Sequence, residues 1–203
     1  NSANYTPLSP VSLLRRAVWI YPDKPAVIQN DRVLNWGEVF QRCQRIASAL
    51  TKRGLGKGDT VAILSANTAE MFEVHFAVPM MGGVLNAINM RLDAKTVAFI
   101  LEHGEAKLLL VDKEFGPLAE AALALLSSPP AVVHIDDKHC EVGHLLGDES
   151  YDDLLAAGEA APVGVDSTAY LPDDEWQAIA LNYTSGTTGN PKGCLLYTSP
   201  SPR

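Results

Sequence analysis

Short apolar runs alternate with capped, amphipathic helical segments along most of this chain, and that alternation constrains the fold more than any other feature. A strand, a helix and a second strand in succession return the chain in the same direction, building a parallel sheet with helices packed on it. Ser9-Pro10 caps and starts a first helix with Val11, Leu14 and Val18 on its apolar side, closed by Tyr21-Pro22-Asp23. Residues 26–29 and 32–34 read as short strands around Asn30-Asp31, a hairpin at the rim of a sheet. Asn35-Trp36-Gly37-Glu38 is a capping-box pattern before a helix whose buried stripe is Val39, Cys43, Ile46 and Leu50, widened by Phe40 and Ala47. Arg42 and Arg45 fall off that stripe and are expected to face water. Gly54, Gly56 and Gly58 end the helix and lead to a strand at 61–64.

Asn67-Thr68-Ala69-Glu70 repeats the cap logic before a helix carrying Met71, Phe72, Val74, Phe76 and Val78. Pro79 kinks or ends that helix, and Gly82-Gly83 permit a tight return. Helices are predicted at 94–103 and 117–126, strands at 107–111 and 131–135, and a short helix at 151–157 within a less regular acidic stretch, 136–174. A largely apolar strand follows at 176–182. The expected fold class is α/β, layered helices on largely parallel sheets.

The chain is 203 residues long and 47% apolar, ample for a buried core. Sixteen basic against twenty-four acidic residues give a net charge of -8, which offers no nucleic-acid footprint. Cys43, Cys140 and Cys194 form no CxxC pair or ligand cluster, so no metal ligand is assigned. No apolar stretch approaches the roughly 20 residues needed to span a bilayer, and no basic segment followed by an apolar one opens the chain. Cytoplasm is therefore the expected location; the oligomeric state is left open.

Directly after the last apolar run comes Tyr183-Thr184-Ser185-Gly186-Thr187-Thr188-Gly189-Asn190-Pro191-Lys192-Gly193. Gripping a polyphosphate takes backbone donors and a compact positive charge beside the oxygens. Gly186 and Gly189 allow turns with accessible N–H groups, and Lys192 supplies the charge. Thr184, Ser185, Thr187 and Thr188 add hydroxyls without filling the site. These groups can stabilise charge while an α-phosphorus is attacked and pyrophosphate departs. The spacing differs from GxxxxGK followed by Ser or Thr, because Gly193 follows Lys192, and no early GxGxxG marks a dinucleotide site.

Other polar residues read as structural. His75, among Phe72, Val74 and Phe76, is expected to be buried or partly buried. His103 favours a helix end, His134 lies in a strand, and His139 and His144 lie in the acidic stretch; they form no metal triad. Asp136, Asp137, Asp152, Asp153, Asp173 and Asp174 read as turns and caps. Trp19, Trp36 and Trp176 are assigned to packing.

The 183–193 segment resembles the signature phosphate loop of the adenylate-forming superfamily. Leu34-Asn35-Trp36-Gly37-Glu38-Val39 resembles that family's early LTYxEL segment, and residues 76–86 resemble another of its segments. The whole looks most like a bacterial acyl-CoA synthetase. The resemblance implies that a carboxylic acid is joined to ATP as an acyl-adenylate, with magnesium, and then passed to coenzyme A. It implies that Thr184, Ser185, Gly186, Thr187, Thr188, Gly189 and Lys192 contact ATP phosphates, with Lys192 catalytic. Residues 1–193 are then a partial N-terminal AMP-binding domain. Residues 194–203 resemble an in-frame translation of a DNA-library adapter and are expected to be non-native, with the C-terminal domain absent and the isolated fragment inactive. An adenylate-forming enzyme with another acyl acceptor and a noncatalytic ATP-binding module are the alternatives.

Overall fold

A computed structural model describes residues 9–161, 174–184 and 191–197. Helix α1 (Pro10–Ile20) precedes a hairpin of β1 (Pro25–Gln29) and β2 (Arg32–Asn35), then α2 (Trp36–Lys52) and β3 (Thr60–Leu64). Next come α3 (Ala69–Met80), β4 (Val84–Ala87), α4 (Ala94–His103) and β5 (Ala106–Asp112). A 3₁₀ turn leads into α5 (Gly116–Leu123), followed by β6 (Ala131–Ile135), β7 (Glu149–Ser150), α6 (Tyr151–Ala157), β8 (Ala178–Thr184) and β9 (Lys192–Tyr197).

The main sheet runs β7-β6-β5-β3-β4-β8-β9. Every neighbouring pair is parallel except β8 and β9, which are antiparallel. All five residues of β3 are buried, as expected of a central parallel strand covered on both faces. Alternate residues supply two cores. Val61 and Ile63 pack with α1, α2, α3 and α6, whereas Ala62 and Leu64 pack with α4 and α5. The result is the three-layer α/β arrangement the alternation implied. The hairpin departs from expectation: β1 and β2 form their own two-stranded sheet instead of a rim of the main one.

The caps explain where the helices begin. Ser9 accepts from the Val11 N–H, and Asn35 and Glu38 complete a reciprocal capping box. At α3 the cap is Thr68, one residue later than the pattern in Asn67–Glu70 suggested; its hydroxyl accepts from the Met71 N–H. Pro79 lies inside α3, which ends one residue beyond it, and Gly82 (φ +82°) turns the chain directly into β4. That strand was not foreseen. The α5 helix stops at Leu123, short of the predicted 126.

Arg42 does not face water. Its Nε lies 2.5 Å from Glu73 Oε1, and Glu73 is fully buried between α2, α3 and α6. The Tyr151 hydroxyl donates to Glu73 Oε2 at 2.9 Å, and Cys43 Sγ donates to the Glu73 carbonyl at 3.4 Å. Helical periodicity had placed Arg42 off the stripe correctly, but a second helix packs there with a carboxylate. Burial pushes the Cys43 thiol well above its ordinary value, so this cysteine is an inert packing residue.

Glu70, one residue from α3's start, accepts from Arg32 Nη1 at 2.5 Å and so ties the hairpin to the helix. Burial alone would raise its carboxyl, but the hydrogen bond and charge of Arg32 prevail and hold it below its ordinary 4.5. A depressed folded-state value means that this pair's stabilisation is complete above the unfolded pKa and disappears as pH falls through the folded one. Urea titrations of the wild type and Glu70→Gln from pH 7 to pH 2 are expected to give stabilities that differ at neutral pH and converge below pH 4.5. A difference that stays constant with pH contradicts the assignment.

His75 is exposed, not buried, with Nδ1 2.7 Å from the Met71 carbonyl oxygen. Trp36 packs against Phe72, with ring centroids 6.3 Å apart. Trp19 and Trp176 are 88% and 68% exposed, so packing is not their main role among the described residues. Three of the aspartates act as caps and turns: Asp137 accepts from the His139 N–H, Asp153 joins a capping box on Ser150, and Asp174 accepts from the Trp176 N–H. Asp136 instead pairs with Lys113 and Lys138. Asp173 lies outside the described residues.

Candidate phosphate-binding site

Parallel strands direct their carboxyl ends to one edge of the sheet, where loops have room to close on a ligand. β8 runs parallel to β4 and ends at Thr184, placing that residue at the edge. Ser185, Gly186, Thr187, Thr188 and Gly189 lie outside the described residues. The other two predicted phosphate contacts are brought together: Thr184 and Lys192 are register partners across β8 and β9. Directly opposed residues of a ladder share a face, so the hydroxyl and the ammonium emerge side by side. Both residues are exposed. The arrangement presents a donor hydroxyl and a cation where an anionic ligand has access.

β9 departs from the sequence expectation: a strand begins at Lys192 and runs to Tyr197, into the residues expected to be adapter-derived. Cys194 pairs with Asn182, Leu195 with Leu181 and Tyr197 with Ala178, and all six strand residues are exposed. Cys194 has no partner that would make it a nucleophile among the described residues.

Behind the site, the end of α4 packs against β8. His103 stacks on Phe99 (centroids 5.2 Å apart), and its Nδ1 lies 2.7 Å from the Tyr183 hydroxyl, a shared hydrogen bond. Burial raises the Tyr183 hydroxyl above its ordinary pKa, which keeps it protonated. Gly104 lets the helix end approach: a Cβ there would lie 2.9 Å from the Ile100 carbonyl oxygen and 3.3 Å from both Leu181 Cδ2 and Asn86 Nδ2. Asn86, fully buried in β4, has no hydrogen-bonding partner for either side-chain polar atom among the described residues. An unpaired buried amide typically costs about 1–3 kcal/mol. A lone polar residue within Val84–Ala87 was the only sequence signal for this seam; His103 and Tyr183, 80 positions apart, gave none.

At the opposite edge, a groove of about 530 Å³ opens beside the amino ends of β5 and β6, lined by Glu102, Lys107, Pro129 and Ala131 among others. It contains none of the candidate phosphate contacts. Among the described residues no group of three or more His, Cys, Asp or Glu could hold a metal ion, and no helix is long and apolar enough to cross a membrane.

Residues 14–199 match the family model described as AMP-binding enzyme. The chain is 42% identical over 207 residues to the peroxisomal acetate/butyrate–CoA ligase AAE7 of Arabidopsis thaliana, covering 96% of this chain and 36% of that protein. It is 41% identical over 208 residues to the acetate–CoA ligase CCL3 of Humulus lupulus, covering 97% of this chain and 36% of the relative. The crystal structure of the anthranilate CoA ligase AuaEII in complex with anthranoyl-AMP superposes with a TM-score of 0.81 at 25% identity, over 98% of this chain and 36% of that one. The chain thus spans about a third of the length of the curated relatives it matches. The expected cytoplasmic location is corrected by this comparison, because several of the similar Arabidopsis ligases are named as peroxisomal. Composition and the lack of a long apolar run could not distinguish one aqueous compartment from another. With the sheet, the motif at the end of β8 and the match over nearly the whole chain in agreement, this chain belongs to the AMP-binding enzyme family.

Proposed function

We propose that the whole protein carrying this segment is a carboxylate–CoA ligase acting through an acyl-adenylate. The pairing of Thr184 with Lys192 at the carboxyl end of β8 carries the reading, supported by family membership. A carboxylate oxygen attacks the α-phosphorus of ATP and the bond to pyrophosphate breaks. Lys192 and the Thr184 hydroxyl, with Ser185, Gly186, Thr187, Thr188 and Gly189, hold the phosphate oxygens as charge moves onto the departing group. The thiol of coenzyme A then attacks the acyl carbon, and AMP leaves with the bonding pair. Adenylation is needed because an oxide leaving group is poor and a phosphate leaving group is good.

Magnesium enters with the nucleotide in this reading; no described side chain is assigned to the ion and no step is routed through it. Residues 1–193 are taken as a partial N-terminal domain and 194–203 as adapter-derived, a boundary that the untrimmed coding sequence tests. A polypeptide of these 203 residues alone is expected to be inactive.

The test is acid-dependent exchange of pyrophosphate into ATP by the full-length protein, with acetate, butyrate and benzoate as first substrates, followed by detection of the CoA thioester. Exchange and thioester together are expected. Exchange without thioester assigns the acyl group to another acceptor, and ATP binding without exchange leaves a noncatalytic nucleotide-binding module.

A further inference from the structure

We propose that His103 is a positioning residue for Thr184 and Lys192, acting through Tyr183; this rests on the ligase reading above. Toward the sheet interior, β8 has one register partner, Ala180 opposite Leu85 of β4, so residues 181–184 extend past the paired part of the ladder. On its other side β8 pairs with β9 from Ala180 to Thr184. The carboxyl end of β8 is thus held by the β9 ladder on one side, and its orientation toward the α4 layer is set by what its side chains touch there. Tyr183 alone of the motif's described residues reaches that layer's core cluster, and it meets His103 edge-on, with centroids 5.7 Å apart and the 2.7 Å hydrogen bond at the ring tip. His103 is itself held: it stacks on Phe99 one turn earlier, on a helix whose start is fixed by Asp93 accepting from the Thr96 N–H at 2.8 Å.

Strand geometry carries the constraint to the ligand. Successive side chains point to opposite faces, so fixing Tyr183 against α4 fixes the direction in which Thr184, the next residue, presents its hydroxyl. Lys192 is tied to Thr184 by register. The same contact thus sets the approach of both groups to the phosphates.

The experiment uses the full-length protein with His103→Ala, Tyr183→Phe, the double variant and His103→Gln. His103→Ala and Tyr183→Phe are each expected to raise the KM for ATP in the exchange assay about five- to tenfold, the scale of one lost hydrogen bond, leaving the KM for the acid unchanged. The double variant should be no worse than either single one, and His103→Gln, which keeps a side-chain group able to bond the hydroxyl, should recover most of the loss. An unchanged KM for ATP, additive losses in the double variant, or equal changes in both KM values that follow a lowered Tm would overturn the proposal. Tyr183→Phe removes one exposed-edge oxygen and guards against misfolding as the explanation. Absence of exchange by the unaltered protein refutes the ligase reading; exchange indifferent to His103 refutes only the positioning role.

Discussion

Replacing Lys192 by Met in the full-length protein is expected to lower acid-dependent pyrophosphate exchange about 100- to 1,000-fold, the loss typical of removing one preorganised donor to developing charge. Lys192 is exposed at the start of β9 and Thr184 is its register partner, so the substitution removes a cation without opening a cavity. Stability should stay within about 0.5 kcal/mol of the wild type, as for other surface changes. That separation matters: a drop in exchange with an unmoved urea midpoint locates the defect in nucleotide chemistry. Lys192→Arg is expected to rescue only part of the rate, because a planar fork cannot occupy the position of a compact ammonium. Exchange at wild-type rate in Lys192→Met would remove the basis for the phosphate-cradle assignment.

The largest expected effect on stability lies far from the phosphate edge. Glu73→Met leaves the Arg42 guanidinium and the Tyr151 hydroxyl without their shared acceptor between α2, α3 and α6, and is expected to destabilise the fold by about 3–5 kcal/mol. Burial pushes the Glu73 carboxyl above its ordinary range, with the adjacent Arg42 charge opposing that rise. For a raised carboxyl the favourable contribution is present at low pH and lost as pH climbs through the folded-state value, opposite in sign to Glu70 three residues away. Replacing both charges, Arg42→Met with Glu73→Met, is expected to recover most of the loss, since apolar side chains of similar volume often substitute well for a buried ion pair. Equilibrium urea denaturation of the two single variants and the double variant decides the matter. Additive losses would show that the charges act separately.

Local chemistry was legible in the sequence wherever one segment decided the outcome. Ser9, Asn35 with Glu38, and the stripe from Val39 to Leu50 state their helices without outside help, and Ala94–His103 and Ala131–Ile135 fall at the predicted residues. What the residues could not disclose was placement by a distant partner. Arg42 is polar and off the stripe, and only the arrival of Glu73 explains its burial. β4 is four residues long, follows a helix almost without pause and carries Asn86, so neither length nor pattern marks it as a strand. The candidate site divides the same way. Glycines, hydroxyls and lysine are what suggest a phosphate ligand, whereas the ladder partnership of Thr184 with Lys192 and the contact of His103 with Tyr183 require three dimensions.

The position of β8 also has a consequence for synthesis on the ribosome. β4 waits beside β3 with one edge unfilled while α4, β5, α5, β6 and α6 are made, and the strand that completes it arrives only afterwards. Gln177 then donates to the Gly82 carbonyl at 3.0 Å, latching segments 95 positions apart. Contacts so distant in sequence form slowly, because a long loop must close before they contribute. The nascent chain therefore carries an open β4 edge through much of its emergence, and β8 is the last of the described parallel strands to dock.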